Sequence, residues 1–514
     1  MASSILSRHL ASSLRPSLGL SASGYRHQQT PAKRVEEVEF DGPCMKTEVP
    51  GPRSKILAQQ LEAIQSVVQI ASIPIGYNHP ALTKVMTDPK NMVSTLGMMP
   101  PEQFSEKLVN GLMAVAPKGF SRVQTMACGS CSNENAYKAI FIWYRNKMRG
   151  TPEPTPEEVR TSVINQVPGC PDLTLLSLMG GFHGRTLGCL ATIHTKAIQK
   201  LDVPSFDWPI APFPQLRYPL DQFERENAPE EARCLEEVED LIVKWNQNGR
   251  HVAGVVIEPI QAEGGDNHAS FDFYRKLRGI TKKHGCAFQV DEVQTGGGST
   301  GKFWAHEHWG LDDPADIVSF SKKMLTGGYY QKDSFQPDKP FRIFNTWLGD
   351  HTKNLFLTEV IKVIKTENLL DQAKRSGKVM LEGLYDLQDK YPHLLSRARG
   401  IGTFCAIDNK TINLERLSNY SRTCRTISSI IFTSLVSIPF TSFSRCSYPE
   451  RLTNWCIHLM ISIGTTTLQY ICTSISFFLG GVRRITLSYP RYSLKRWGFR
   501  CLRKVVIDSA VLAS

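Results

Sequence analysis

Short apolar runs that alternate with helical patterns constrain the fold of this chain more than any other feature. Four such runs are four to seven residues long: Leu173–Met179, Val252–Ile257, Ala287–Val290 and Ile317–Phe320. Runs of this length between helices predict the strands of a mostly parallel sheet that helices cover on both faces. Ligands of such α/β sheets bind beyond the carboxyl ends of the strands. Polar motifs that follow the runs are therefore the candidate functional site.

Length and charge narrow the class further. The chain has 514 residues, which is enough for two or three domains. Residues 409–514 hold 14 Lys and Arg against 3 Asp and Glu, whereas residues 1–408 hold 46 against 45. This nearly neutral body offers no electrostatic surface for a polyanion, so we expect no nucleic-acid partner. The 13 cysteines are irregularly spaced, which indicates reduced thiols in an intracellular compartment.

The first 34 residues have the composition of a targeting segment. They contain five Lys and Arg, eight Ser and no acidic residue, and Arg8 and Arg15 interrupt any apolar core. This pattern is typical of an organelle transit peptide and not of a secretory signal. We expect residues 1–34 to direct the chain to mitochondria. An unstructured terminus without function is the alternative.

Helical spacing and proline content predict further elements. Apolar residues at helical spacing predict helices over residues 53–70, 102–116 and 132–149. Two Pro-rich stretches, Gly150–Pro156 and Pro204–Pro229, are predicted to be surface loops.

Two polar motifs could bind an anion and a flat ring. Residues 127–134 place Gly129 and Ser130 before a helix, where free backbone N–H groups and the helix dipole can bind phosphate. Residues 180–186 contain Phe182, which can stack on a ring, and Arg185, which can bind a carboxylate through two hydrogen bonds. An ordinary helix cap and a surface arginine are the simpler alternatives.

Two further motifs follow predicted strands. Asp291 comes directly after one apolar run and can hold a cationic ring nitrogen. Lys322 follows another and can have the lowered pKa that an imine-forming amine needs. A solvated acidic turn and a surface lysine pair are the alternatives. Together the four motifs supply what pyridoxal phosphate requires from a protein.

On these motifs the sequence resembles the class III, fold-type-I pyridoxal-phosphate aminotransferases, from about residue 38 to residue 408. Further segments carry the resemblance: 40–53, 126–136, 181–190, 258–261, 290–302, 319–328 and 344–347. The resemblance implies an α/β fold with a large cofactor-binding domain, whose mostly parallel sheet lies between helices. The small domain would be incomplete.

The resemblance assigns roles around the cofactor. Lys322 would carry the cofactor, and the family's spacing selects it over Lys323. Asp291 would pair with the ring nitrogen and Gln294 with the ring oxygen. Phe182 and Val293 would enclose the ring.

It also assigns roles toward phosphate and substrate. Gly129 and Ser130 would hold the phosphate, and Thr346 would reach the cofactor phosphate of a partner subunit. Arg185 would bind the substrate carboxylate. Glu263 would alternate with a second arginine, for which residues 409–514 offer no counterpart.

The resemblance implies transamination of 4-aminobutyrate with 2-oxoglutarate in the mitochondrial matrix, which yields succinate semialdehyde and glutamate. 3-Amino-2-methylpropanoate would be a further amino donor, and the enzyme would be a homodimer. Two alternatives stay open. One is an aminotransferase or aminomutase for another ω-amino acid, and the other is an impaired variant that acts only as a dimer partner.

Cys128 and Cys131 form a Cys-x-x-Cys pair with two interpretations. One pair cannot complete the four-cysteine ligation of a [2Fe–2S] cluster, but two pairs across a dimer axis can. The resemblance implies such a shared cluster. Two small thiols at the edge of the core are the alternative.

The expected domains follow from where the resemblance holds. After the transit peptide, residues 35–95 form a shortened small-domain segment, 96–350 the cofactor-binding domain and 351–408 the start of a C-terminal small domain. Residues 409–514 are a basic tail rich in Ser and Thr. It contains Leu452–Val482, 31 residues without charge. The tail is interpreted as an unselected segment, a membrane or interaction segment, or a divergent small domain, and we expect no membrane association.

Overall fold

A computed structural model describes residues 71–76, 79–89, 91, 104–347 and 349–410, with the isolated positions 52, 53, 56, 57 and 60. The expected transit peptide, nearly all of the tail and most of the predicted helix 53–70 lie outside the described residues. Within the described part, no helix is long and apolar enough to cross a membrane.

A seven-stranded sheet forms the centre of the molecule. Its strands are β1 (Arg122–Met126), β2 (Thr174–Leu178), β3 (Ile210–Ala211), β4 (Val252–Ile257), β5 (Ala287–Asp291), β6 (Ile317–Phe320) and β7 (Gly327–Gln331). Their spatial order is β1-β7-β6-β5-β4-β2-β3. Strands β3, β2, β4, β5 and β6 pair in parallel, and β7 runs antiparallel to both β6 and β1. The expected mostly parallel sheet is confirmed, and all four predicted apolar runs are strands.

Helices connect and cover these strands. They are α1 (Pro80–Thr87), α2 (Phe104–Asn110), α3 (Gly129–Arg149), α4 (Pro156–Ser162), α5 (Leu187–Ala191), α6 (Glu224–Gln247), α7 (Phe271–His284), α8 (His351–Thr366) and α9 (Leu369–Lys390). Short 3₁₀ helices occur at Met113–Val115, Ala197–Gln199, Ala305–Trp309, Lys322–Met324 and Asp333–Phe335.

The predicted helix 132–149 is confirmed and begins three residues earlier, at Gly129. It ends at Gly150, whose φ of 74° is left-handed and whose N–H donates to the carbonyl of Asn146. Glycine adopts this conformation without steric cost, which explains why the helix stops there. The predicted helix 102–116 is present as α2 followed by a 3₁₀ turn.

The predicted loop Pro204–Pro229 is wrong at two places. Ile210–Ala211 pairs with β2 as an edge strand, and Pro229 lies inside α6. Pro229 is the sixth residue of this 24-residue helix, where its ring removes one backbone hydrogen bond. The helix tolerates this loss because one face is buried over its length, at Asn227, Cys234, Leu235, Val238 and Ile242.

Apolar side chains bury both faces of the sheet. Along β4, Val255 and Ile257 belong to the cluster on one face, and Val256 belongs to the cluster on the other. This alternation places successive side chains on opposite faces, as the pleat of a strand requires. Because both faces are covered, the edge where the parallel strands end is the exposed place for a ligand.

After the sheet, α8 and α9 lead to an antiparallel hairpin of β8 (Leu395–Ile401) and β9 (Phe404–Asn409). The hairpin packs on α9 through Leu384, Ala398 and Cys405. These elements occupy the expected start of the small domain. The domain boundaries themselves stay predictions.

Candidate active site

Asp291 and Lys322 lie together at the carboxyl edge of the sheet. Asp291 is the last residue of β5 and pairs in register with Ser319 of β6. Lys322 follows two residues after the end of β6. Because β5 and β6 are adjacent and parallel, their ends meet at one edge, and the charge of Asp291 acts on the Lys322 amine.

The Asp291 carboxylate is almost fully buried and accepts three hydrogen bonds. Oδ2 accepts from Asn133 Nδ2 at 2.7 Å and from His183 Nδ1 at 2.9 Å, whereas Oδ1 accepts from the Val293 N–H at 2.9 Å. A carboxylate has about four acceptor positions. One position on Oδ1 therefore stays available for a protonated ring nitrogen.

Lys322 has the features of an amine that can lose its proton. Its ammonium donates to Gln294 Oε1, and its φ of 50° is unusual for a residue with a side chain. Burial lowers the pKa of Lys322, while the carboxylates of Glu258, Asp291 and Glu263 act in the opposite direction. A lowered pKa favours the neutral amine, which is the nucleophilic form.

The neighbouring Lys323 points elsewhere. Its side chain is buried, and its ammonium donates to the backbone carbonyl of Gln294. Burial, reinforced by the charge of Lys322, lowers the pKa of Lys323 to about 7. Burial thus lowers the pKa values of both lysines. The carboxylates of Asp291 and Glu258 partly offset this lowering for Lys322 only.

Glu258 is a buried carboxyl group that the sequence analysis did not single out as a site residue. It follows β4, accepts the Phe182 N–H at 2.8 Å and lies near Lys322 and Asp291. Burial raises the pKa of Glu258 well above its usual value, and the charge of Asp291 adds to this effect. Glu258 also fixes the backbone of Phe182, the expected ring-stacking residue.

The start of α3 is suited to bind an anion. Cys128 precedes the helix and makes no side-chain capping bond, so its first N–H groups are not occupied by a cap. A Cβ at Gly129 would lie 2.7 Å from Val293 Cγ1, so only glycine lets the helix approach this residue. Ser130 Oγ accepts the Arg185 N–H at 3.1 Å and can donate its own proton into the site.

Arg185 is exposed, and among the described residues no acidic side chain pairs with its guanidinium. The guanidinium carbon lies 5.8 Å from the centre of the Phe182 ring. A free guanidinium beside the expected cofactor ring is available for a substrate carboxylate.

Glu263 has a different partner from the expected arginine. Its Oε1 accepts from Lys196 Nζ at 2.6 Å and from Gln199 Nε2 at 3.2 Å. Lys196 therefore neutralises Glu263 in the described part of the chain.

The remaining expected residues lie outside this cluster. Thr346 is exposed on the loop before α8. Cys128 and Cys131 are free thiols whose Sγ atoms are 3.6 Å apart. The described residues contain no group of three or more metal-binding side chains, so this part of the chain supplies the two thiols and no complete metal site.

The residues present fit pyridoxal phosphate. A helix start with free N–H groups suits the phosphate, the open acceptor position of Asp291 suits a protonated ring nitrogen, and Lys322 suits the aldehyde carbon. All three come from segments that meet at the same edge of the sheet.

Sequence reasoning missed the roles of Asn133 and His183. Asn133 donates both to Asp291 and, at 2.7 Å, to the carbonyl of His183, while its own Oδ1 accepts from Gln289. Both residues lie inside motifs that the sequence analysis selected. The signal available in the sequence was an asparagine in the first turns of α3 and a histidine shortly after β2.

Comparison with known proteins gives the family. The sequence profile described as Aminotransferase class-III matches residues 57–423. The chain is 58% identical over 459 residues to the mitochondrial 4-aminobutyrate aminotransferase of Sus scrofa, which covers 81% of this chain and 92% of that protein. It is 58% identical over 443 residues to the human protein of the same name, with 79% and 89% covered.

Solved structures share the fold. A lysine aminotransferase from M. tuberculosis superimposes with a TM-score of 0.58 at 25% identity and covers 73% of this chain and 88% of its own. An ω-transaminase from Thermomicrobium roseum gives a TM-score of 0.54 at 20% identity, with 70% and 81% covered. The sequence match, the shared fold and the residues at the sheet edge agree, and the chain belongs to the class III aminotransferase family, whose cofactor is pyridoxal phosphate.

Proposed function

We propose that this protein transfers the amino group of 4-aminobutyrate to 2-oxoglutarate in mitochondria, with succinate semialdehyde and glutamate as products. 3-Amino-2-methylpropanoate is a further proposed donor. The main support is the meeting of Asp291 and Lys322 at adjacent strand ends, with Arg185 nearby, exposed and without an acidic partner among the described residues. Similarity to 4-aminobutyrate aminotransferases over about four fifths of the chain supports the substrate and the compartment.

When bound, pyridoxal phosphate supplies a ring that withdraws electrons from the carbon bearing the substrate amine. Asp291 would hold a proton on the ring nitrogen, because its Oδ1 has an acceptor position left and its burial excludes water. Lys322 Nζ would take the proton from the substrate carbon and return it one step later. Its lowered pKa favours the neutral amine, which is the form that can accept this proton.

Arg185 would bind the carboxylate at the far end of the substrate. A γ-amino acid places this group several bonds from the reacting carbon, so the binding cation must lie outside the cofactor pocket. Arg185 meets this requirement because it follows the ring-stacking Phe182 by three residues and is exposed. Gln294, which accepts from Lys322, is proposed to bond the ring oxygen.

The test is a transamination assay with matched lysine variants. The purified protein should form glutamate from 4-aminobutyrate only when 2-oxoglutarate is present, with ping-pong kinetics. Lys322→Ala should lose the visible absorbance of the lysine-bound cofactor and nearly all activity. Lys323→Ala, its neighbour, should keep that absorbance. Equal loss in both variants, or none in Lys322→Ala, would reject the assignment.

We further propose a homodimer that shares a [2Fe–2S] cluster. Each chain would supply Cys128 and Cys131, because two thiols 3.6 Å apart provide half of a four-cysteine site. The loop before α8 exposes Phe341, Phe344 and Trp347. Such an apolar surface next to Thr346 is typical of a subunit interface and would bring Thr346 to the partner's cofactor phosphate.

A further inference from the structure

The segment that carries Arg185 is fastened to the first turns of α3. The Arg185 N–H donates to Ser130 Oγ at 3.1 Å, and Asn133 Nδ2 donates to the carbonyl of His183 at 2.7 Å. Gly184 has a φ of 125°, and a Cβ there would lie 2.7 Å from Ser130 Oγ. The backbone on the N-terminal side of Arg185 therefore lies directly against the expected phosphate-binding turn.

On the C-terminal side of Arg185, one carboxylate makes the same connection. Glu134 Oε2 accepts from Thr186 Oγ1 at 2.5 Å and from the Cys189 N–H at 3.0 Å, and Oε1 accepts from the Gly188 N–H at 3.2 Å. A Cβ at Gly188 would lie 2.5 Å from Glu134 Oε1, so this approach requires glycine. Glu134 thus binds the hydroxyl of Thr186 and the backbone N–H groups of Gly188 and Cys189, all within the four residues that follow Arg185.

Thr186 does not serve the helix that it precedes. It occupies the position before α5 but makes no capping bond with its side chain, because its hydroxyl donates to Glu134 instead. The Glu134 carboxylate accepts the N–H groups of Gly188 and Cys189 in place of that cap. Glu134, which belongs to α3, thus caps the start of α5 and connects the two helices.

From these contacts we infer that Glu134 is a positioning residue that determines which length of amino acid substrate the enzyme prefers. This inference rests on the proposed function. The phosphate-binding turn of α3 fixes one end of the site, and Arg185 fixes the other. Ser130 and Glu134 hold both sides of Arg185 at a set distance from that turn. The spacing between the reacting carbon and the substrate carboxylate is the quantity that this connection determines.

Two substitutions distinguish the effect of the Glu134 hydrogen bonds from the effect of the length of its side chain. Glu134→Gln keeps the length but replaces one acceptor oxygen with an N–H₂ group that meets a backbone N–H. Glu134→Asp keeps the charge but shortens the connection by about 1.5 Å, one carbon–carbon bond. Neither change touches the lysine, the ring or the phosphate-binding N–H groups.

The experiment measures kcat and KM for ω-amino acids of three, four and five carbons with the cofactor-loaded enzyme. Glu134→Gln should raise the KM for 4-aminobutyrate about tenfold, the effect of losing one charged hydrogen bond, with kcat and the cofactor absorbance unchanged. Glu134→Asp should change the ratio of kcat/KM between the four- and five-carbon substrates by about threefold or more, in either direction. An unchanged ratio overturns the inference.

A double-mutant cycle with Arg185 tests whether Glu134 acts through it. Arg185→Ala should slow the half-reaction in which 4-aminobutyrate gives up its amino group. Adding Glu134→Gln to this variant should not lower the rate of that half-reaction further. If the rate reductions of the two single variants multiply in the double variant, Glu134 does not act through Arg185, and the inference is refuted.

Glu158 supplies the matched control. It is a buried carboxylate that also accepts several hydrogen bonds, from Arg145, Arg149 and the Thr155 N–H, away from the site. Glu158→Gln should lower thermal stability and leave the length preference unchanged. If the wild-type enzyme shows no transamination at all, the proposed function fails, which is a separate outcome from an active enzyme indifferent to Glu134.

Discussion

At the scale of single residues, the two adjacent lysines show how position decides chemistry. Lys322 and Lys323 are adjacent in the sequence, and burial lowers the pKa of each. Only for Lys322 do the carboxylates of Glu258 and Asp291, both part of the candidate site, partly offset this lowering. The main offsetting charge for Lys323 is Glu292.

This difference gives a prediction for stability against pH. The pKa of Lys323 is about 7 in the folded chain, below its usual value of 10.5. Between these pH values the unfolded chain binds more protons, so stability should rise with pH by up to about 1.4 kcal/mol per unit from this group. Lys323→Met should remove that rise, measured by urea unfolding between pH 7 and 9.5. The exposed Lys138→Met is the control, and an equal slope in both variants would contradict the prediction.

At the scale of elements, α4 is held to α3 by one carboxylate. Glu158 closes a capping box with Thr155 at the start of α4 and pairs with Arg145 at 2.7 Å and Arg149 at 3.0 Å. The hydrogen bond from Arg149, with that from the Thr155 backbone, lowers the pKa of Glu158 to about 2. Two helices are thus connected through a charge network and not only through apolar contact.

Removing this charge should destabilise the fold at neutral pH. Glu158→Gln leaves two arginines partly buried without their carboxylate, which should lower the free energy of unfolding by about 2–3 kcal/mol. The folded pKa lies below the usual 4.5, so the wild-type advantage is present above that pH and is lost as pH falls toward 2. In chemical unfolding, the difference in free energy of unfolding between the wild type and Glu158→Gln should be large at pH 7 and small at pH 3. A constant difference would count against the network.

At the scale of the whole molecule, the exposed aromatic loop before α8 is the feature that one chain leaves unexplained. The exposed fractions of Phe341, Phe344 and Trp347 are 83%, 55% and 64%. Large apolar side chains at this exposure, grouped in one loop, favour association.

We expect Phe344→Asp with Trp347→Asp to shift the solution mass from twice toward once the chain mass of 57.6 kDa. Because the proposed cluster needs thiols from both chains, the same variant should lose bound iron and sulfide. Light scattering and metal analysis measure the two effects. Val163→Asp, at an exposed position directly after α4, should change neither. A dimer that keeps its mass in the double variant would place the interface elsewhere.

The sequence by itself determined the central strands and the strand ends at which the candidate site lies. The apolar runs of β2, β4, β5 and β6 are continuous because both faces of each strand are buried. The Asp291 and Lys322 motifs follow two of them directly, so their meeting could be predicted from parallel pairing alone.

Only the tertiary structure decided what depends on distant partners. Strand β7, with the sequence Gly-Gly-Tyr-Tyr-Gln, carries no apolar run, and pairing with β6 and β1 makes it a strand. The contacts of Asn133 with Asp291 and of Glu134 with Thr186 join residues far apart in the chain. The pairing of Glu263 with Lys196 is of the same kind. Local patterns record burial and turns, but a hydrogen-bond partner is fixed only when the whole chain has packed.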